Sequence, residues 1–419
     1  MPKTDKLDPR SLAQRQLELD RERVAHAPAL FRRKVARMSA SPLGFLRGSA
    51  PLFFEVLRAQ PDLGAGPEGE GWLVGDAHVE NFGAFRPRGP APDEGDAPDD
   101  VVFDLNDFDE AFVGPFRLDV LRLLTSVLLG AREFRSDGRR ALGLCDHLLE
   151  NYQRALFDDG PRPDVPRPVA ALIGKVAHRG RNELLAARTE APHGRLRFTR
   201  GDRYQELSPE RSARVQDAVE LYFRNLDDAE RPAAKRREIV DAAFRVAGTG
   251  SLGLLRIAVL LRLKEGATPL IFDLKEQHAP AASPLVDPPE GLGPAERVLN
   301  AALRCLDHPP RRMAPTALGD IPLLGRQLSP QEDKLALPRI ADADLEPVIG
   351  YLGALLGRAH RRGATDAPDK PWTRDEGDAL LDRAIRLASL HEAIYLWYCR
   401  YAPAVAEALP QPELPLPPP

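Results

Sequence analysis

The chain has 419 residues, 43% of them hydrophobic, with 58 Lys and Arg against 62 Asp and Glu and a formal net charge of −4. That length exceeds what one core usually organises, so two or more lobes are expected. The near-balanced charge argues against a dedicated binder of nucleic acid or of an anionic membrane surface.

Residues 1–40 read as a charged helical extension, and the basic run around Phe31 to Arg37 as a solvated helix face. Trp72-Leu73-Val74 is a short strand-like run that leads straight into Gly75. A polar Pro/Gly/Asp loop, RPRGPAPDEGDAPDD at 86–100, joins it to a strand at 101–103. From Phe116, RLDVLRLLTSVLLGAREF repeats apolar residues at i, i+3, i+4 and i+7, which predicts a helix with one core-facing side. A second helix follows at 137–156, then a Pro-broken linker at 158–168 and a basic stretch at 180–205. Ser208 is placed to cap a helix over 208–226. At Phe244 the pattern becomes strand, Gly turn, strand, turn, strand, through to residue 277. A helix at 294–306, a strand pair within 321–337 and two amphipathic helices complete the chain, the first of them at 345–363. The tail PQPELPLPPP has neither a helical nor a sheet option and is expected to be disordered. The implied units are a helical extension (1–40), a helical part (41–240), a β part (241–335), closing helices (336–408) and a Pro-rich tail (409–419).

Three cysteines, Cys145, Cys305 and Cys399, lie far apart without a C-x-x-C pair, as in a reducing compartment. No window approaches the ~20 apolar residues of a membrane span, and no apolar leader opens the chain. A cytoplasmic protein is expected.

Chemistry concentrates in GDAHVENFG (75–83) and VFDLNDFDEA (102–111). Asp76 and Asn81 have the D-x-x-x-x-N spacing of a catalytic loop in which the acid accepts a hydroxyl proton and the amide holds a metal ion. The plainer reading of Asp76, His78 and Asn81 is a turn with satisfied polar side chains. Asp104, Asp107, Asp109 and Glu110 crowd into seven residues interleaved with Phe103, Leu105 and Phe108. Partly buried like charges repel unless a cation sits among them, so Mg²⁺ is expected here, with the choice among Asp104, Asp107 and Asp109 open. Far along the chain, GTGSLG supplies Gly248, Gly250, Ser251 and Gly253 as a loop whose amides reach phosphate oxygens. Lys275 lies on a following strand as a candidate phosphate partner. Glu296, on the next helix, is a candidate ion-pair partner for Lys275, with Glu276 and Glu265 as simpler ones. Asp119 is either a first-turn acid facing the helix dipole or an inward support for the 75–81 loop. His360 reads as a packed or capping histidine, and Arg47 as a surface arginine or a phosphate contact.

Taken together, MSASPLGFLRGSA, GDAHVENFG, FDLNDFDEA, LDVLRLLTS, VAGTGSLG and DLKE resemble, in this order, the bacterial domain of unknown function 2252 family. Locally, GDAHVEN is similar to the HGDxxxxN loop of aminoglycoside and choline phosphotransferases, and NDFDEA to their IDFxxA metal strand. The resemblance implies Asp76 as catalytic base, Asn81 and Asp107 as Mg²⁺ ligands and Asp119 as buried support. Val74 departs from it, standing where those enzymes usually carry a histidine. Motif order departs further, since the Gly loop and lysine follow the catalytic loop. A circularly permuted, protein-kinase-like α+β fold reconciles the two, with a small antiparallel β lobe and a large, mainly helical lobe.

The expected activity is an ATP- and Mg²⁺-dependent phosphotransferase acting on an unidentified hydroxyl acceptor. Asp76 and Lys275 are its catalytic residues, and Asn81, Asp107 and Asp109 its metal site. Two other classes compete. One is a metal-dependent phosphohydrolase built on Asp76 and His78, and the other a nucleotide-binding pseudoenzyme.

Overall fold

The computed structural model describes residues 7–24, 28–88, 101–158, 160, 163–232, 237–263, 266–287 and 289–408. The tail at 409–419, most of the 86–100 loop and Glu265 therefore lie outside the described residues.

Apolar residues between Phe244 and Leu274 build the middle of a six-stranded antiparallel sheet. Its strands run in the order Ala314–Leu318, Ile321–Gln327, Leu270–Glu276, Arg256–Arg262, Glu238–Arg245 and Tyr204–Gln205. The Arg256–Arg262 strand shows why the run is so continuously apolar. Ile257, Val259 and Leu261 join the main core, while Ala258 and Leu260 join a second cluster with Phe198, Tyr204 and Ile271 on the other face. A strand buried on both faces loses the polar alternation of a half-exposed one. The sheet departs from the sequence expectation in three places, the first being that the strand expected from Phe244 begins at Glu238. Its last hairpin starts at Ala314, and Tyr204–Gln205 is recruited from the basic 180–205 stretch by pairing with Arg245 and Phe244.

The rest is mainly helical. The Arg117–Gly130 helix, expected to expose one side, is buried almost all round. Its hydroxyls are satisfied within the helix: Thr125 Oγ1 donates to the Leu121 carbonyl (2.6 Å) and Ser126 Oγ to that of Leu123 (2.6 Å). Two long helices, Gly138–Phe157 and Asp342–Gly363, pack at backbone contact. A Cβ on Gly353 would lie 2.4 Å from the Leu148 carbonyl oxygen, and one on Gly357 2.3 Å from that of Tyr152. Thr373 and Glu376 form a capping box that starts the Arg374–Glu407 helix.

The N-terminal extension is no solvated appendage. Lys34, in the Pro28–Ser39 helix, is fully buried and pairs with Asp20 of the Pro9–Arg23 helix at 2.8 Å. Gln16 and Tyr398 also donate to that carboxylate. A buried pair must be completed by further hydrogen bonds, and a sequence pattern does not reveal those partners. Cys145, Cys305 and Cys399 are unpaired, and burial pushes the Cys145 and Cys305 thiols up. Among the described residues no helix is long and apolar enough to cross a membrane.

Candidate active site

Small β elements deliver the residues of the 75–81 loop. The Glu70–Leu73 strand pairs with Phe112–Pro115 and Ala364–Asp366 and is followed by a turn at Gly75, where φ is +80°. A Cβ on Gly75 would stand 1.8 Å from the Glu110 carbonyl oxygen, so only glycine lets this turn pass beneath the 107–111 segment. Asp119 holds the turn from below. Its carboxylate accepts from the backbone N–H of Val74 (2.7 Å) and of Gly75 (2.9 Å). His360 Nε2 lies 3.2 Å from the same carboxylate, its Nδ1 is 2.9 Å from the Tyr152 hydroxyl, and its ring stacks on Phe116. With Nε2 protonated toward Asp119, the imidazole passes orientation from Tyr152 to the loop.

Asp76 follows Gly75 and meets a residue that the sequence reading missed. Arg122, one turn after Asp119 on the same helix, is 1% exposed and ion-pairs with Asp76. Its Nη2 donates to the Leu46 carbonyl at 2.9 Å, and its guanidinium carbon lies 4.8 Å over the Phe53 ring. Burial raises the Asp76 carboxyl to about 6, with Arg122 opposing the rise and Glu110 and Asp107 adding to it. The missed signal was an arginine in an otherwise apolar helical run, three residues from an acid and so on the same helix face. Arg122→Met removes the main cation opposing that rise, so the Asp76 carboxyl is expected to titrate at still higher pH. Carbon-13 NMR titration of the aspartate side chains checks this, and an unmoved Asp76 titration would show that Arg122 does not set it.

Asn81 ties the two acidic segments together. Its Nδ2 donates to the carbonyls of Asp76 (3.2 Å) and Asp107 (3.1 Å), and no described residue donates to its Oδ1. The Phe82–Phe85 and Val102–Leu105 strands pair antiparallel and carry the chain from Asn81 to Asp107. His78 Nδ1 accepts from the Glu80 N–H at 3.1 Å. Burial, with Arg47, Lys334 and Arg122 nearby, holds the imidazole well below its usual range. Its Nδ1 is taken by the Glu80 N–H and the three cations beside the ring would repel a metal ion, which argues against the two-metal hydrolase.

Lys275 reaches this cluster from the middle of the large sheet. Its ammonium pairs with Asp109 and lies 3.7 Å from Asp107 Oδ2. Burial holds the Lys275 ammonium below its usual range, against the pull of Asp107. Burial also works to raise Asp107, but Lys275, Lys334 and Arg256 prevail and hold it below the ordinary carboxylate range. Gln277 Nε2 donates to Asp109 Oδ1 at 3.1 Å, so Asp107, 47% exposed on the cavity wall, is the less engaged of the two acids beside Lys275. Asp104 points elsewhere, accepting from the Leu105 N–H.

Two expectations about Lys275 are corrected. Glu296 does not pair with it: Glu296 sits in the first turn of the Pro294–Cys305 helix with its carboxylate folded back against Gly293. Glu276 turns to the other side of the strand and accepts from the Leu255 N–H at 2.6 Å. The helix instead presents Arg297, whose buried guanidinium donates to the carbonyls of Ala111, Asp109 (2.8 Å) and His278 (2.9 Å). One residue around a helix is 100°, and that step separates Glu296 from the group that meets the acidic segment.

The 248–253 loop lies between the first two long strands of the sheet, with positive φ at Gly248 and Gly253. Its carbonyls face the N-terminal helices. Arg37 donates to Gly248, and Arg23 (2.9 Å) and Lys34 (3.4 Å) donate to Gly250. Between this loop and the acids lies a cavity of about 120 Å³, walled by Asp76, His78, Asn81, Asp107 and Lys275. A second cavity of about 600 Å³ adjoins it, sharing Asp107, Gly248 and Lys334. Lys334, also unforeseen, donates to the Glu80 carbonyl at 2.8 Å.

Among the described residues, no group of three or more His, Cys, Asp or Glu side chains is gathered as a metal site. The oxygen-bearing side chains on the cavity wall include Asp76, Asn81, Asp107, Asp109 and Glu110, hard donors of the kind that suit Mg²⁺ completed by water and phosphate oxygens.

The model of the family described as "Uncharacterized protein conserved in bacteria (DUF2252)" matches residues 26–408, so the chain belongs to that family. No curated protein and no solved structure matches it.

Proposed function

We propose that this member of the family is an ATP- and Mg²⁺-dependent phosphotransferase with a circularly permuted, kinase-like arrangement. One observation carries the reading. Lys275 and Asp107, remote in sequence, come within 3.7 Å at the cavity whose wall holds Asp76. The Gly loop joins the first two strands of an antiparallel sheet and the lysine lies on the third, the order in which kinases present these parts. Starting the count at Glu238 rather than at the N-terminus gives Gly loop, lysine strand, helix, hairpin and long helix, then the Arg374–Glu407 helix and the N-terminal helices, and after them the 75–81 loop.

The chemistry follows from the side chains. Lys275 and the 248–253 amides hold the donor phosphates, and the adjoining 600 Å³ cavity has room for a nucleoside. Asp107 and Asn81 would hold Mg²⁺, which when bound neutralises charge on the phosphates. Asp76 receives the acceptor's hydroxyl proton. The acceptor oxygen bonds to the γ-phosphorus as the bond to the β,γ-bridging oxygen breaks, and that electron pair leaves on ADP. Arg122, Asp119 and His360 position Asp76 without touching the reacting atoms.

Calorimetry with Mg-ATP tests the reading. Binding that requires a divalent ion is expected, weakened at least tenfold, or about 1.4 kcal/mol, by Lys275→Ala and by Asp107→Asn alike. Wild-type protein that binds no nucleotide with any divalent ion would overturn it. Binding without turnover would make the chain a nucleotide-binding module instead.

A further inference from the structure

Five cations gather where the N-terminal helices meet the Gly loop: Arg23, Arg33, Lys34, Arg37 and Arg47. Two carboxylates answer them. Asp20 takes Lys34 at 2.8 Å and Glu80 takes Arg47 at 2.6 Å. Arg33 donates to the Asp202 carbonyl, Arg23 to that of Gly250 and Arg37 to that of Gly248. A carbonyl satisfies an N–H but does not neutralise a guanidinium. Among the described residues Arg23 and Arg37 meet no carboxylate, and Arg47 Nε is buried without a partner. Burial and the neighbouring Arg33 and Arg47 together hold the Arg37 guanidinium below its usual range. Such crowding of like charge is relieved when an anion enters.

Position decides which anion. Arg23 and Arg47 line the small cavity with Asp76 and His78, and neither lines the larger one. The groups leading from one cavity to the other are Asp107, Gly248 and Lys334. With the nucleoside in the larger cavity, Arg23 and Arg47 stand at the acceptor's end of the line of transfer. Arg47 is also tied, through Glu80, to the loop that carries Asp76.

We propose that the acceptor is itself anionic: a hydroxyl compound bearing a phosphate or carboxylate group, held by Arg23 and Arg47 in the positive field of Arg37, with its hydroxyl at Asp76. This rests on the phosphotransferase reading and adds the acceptor's chemical class. It also gives the N-terminal helices a role in substrate recognition. They carry Arg23 to the cavity wall and Arg37 to the Gly248 carbonyl beside it, and the buried Asp20–Lys34 pair ties the two helices together.

Inorganic phosphate is the probe, titrated into full-length protein already saturated with Mg²⁺ and a non-hydrolysable ATP analogue, so that the donor phosphates fill their own positions. One phosphate site is expected, weakened at least tenfold by Arg47→Ala and by Arg23→Ala. Arg47→Lys, which keeps the charge, is expected to retain most of the binding, and melting curves verify that each variant is folded. No phosphate site on the analogue-loaded protein, or one that both alanine variants leave untouched, would overturn the inference. Phosphate that binds only without the analogue would assign the cations to the donor's terminal phosphate and overturn it too. Failure of the analogue to bind, seen before any phosphate is added, would instead sink the phosphotransferase reading beneath.

Discussion

Asp76→Asn is expected to lower phosphoryl transfer by about 10²- to 10⁴-fold, the usual contribution of a positioned general base, while Mg-nucleotide affinity changes by no more than about threefold. Asparagine keeps the shape of the side chain and a hydrogen bond from Arg122, but it cannot take a proton. The slow hydrolysis of ATP with water as acceptor reads this without knowledge of the natural acceptor. The pH dependence gives a second check. A base must be ionised to act, and burial raises the Asp76 carboxyl to about 6. Activity should therefore be full above that pH and fall about tenfold per unit below it. An unshifted aspartate would hold its activity down to about 4. The same shift has a stability counterpart. The folded protein binds this proton more tightly than the unfolded chain, so ionising Asp76 removes stability as pH rises from about 4 through about 6. Wild-type activity that stays flat down to pH 4.5, or an Asp76→Asn protein hydrolysing ATP at the wild-type rate, would remove Asp76 from the role of base.

How much of this was legible in the sequence divides along a physical line. Short motifs whose chemistry depends on local spacing were readable. Asp76 and Asn81 share one turn, NDFDE follows the Val102–Leu105 strand, and GTGSLG joins two strands. The inward reading of Asp119 matches its bonds to the Val74 and Gly75 amides. Features set by helix phase or by remote packing were not readable. The amphipathic template gave the 117–130 helix one polar side, but that side is buried and carries Arg122 to Asp76. Glu296 and Arg297 are adjacent in sequence, yet only the packing of the helix against the 107–111 segment decides which of them turns inward. The basic run at 31–37 looks solvated until the Gly250 carbonyl and Asp20, each remote in sequence, arrive beside Lys34. Local pattern specifies which element forms. Which of its faces is buried depends on partners that the pattern does not name.

Asp119→Ala is the substitution expected to cost most in stability, about 3–5 kcal/mol. Asp119 is 1% exposed and serves three donors: the N–H groups of Val74 and Gly75, and His360. Each buried group left without a partner costs about 1–3 kcal/mol. The site is too enclosed for water to replace the lost carboxylate freely. For a chain of this length the loss corresponds to a drop in melting temperature of roughly 5 °C. Asp119→Asn should not rescue it. The amide offers one acceptor where the carboxylate offers two, and its NH₂ would confront a backbone N–H. Function should fall with stability, because the two bonds to Asp119 fix the turn at Gly75, from which Asp76 projects. Hydrogen exchange separates local from global effects: in Asp119→Ala the Val74 and Gly75 amides should lose protection well before the amides of the 256–262 strand. If those two amides stay protected and the melting temperature moves by less than about 1 °C, then the Gly75 turn is held by its packing under the Glu110 carbonyl alone. The chain from Tyr152 through His360 to Asp119 would then be a consequence of the loop's position and not its cause.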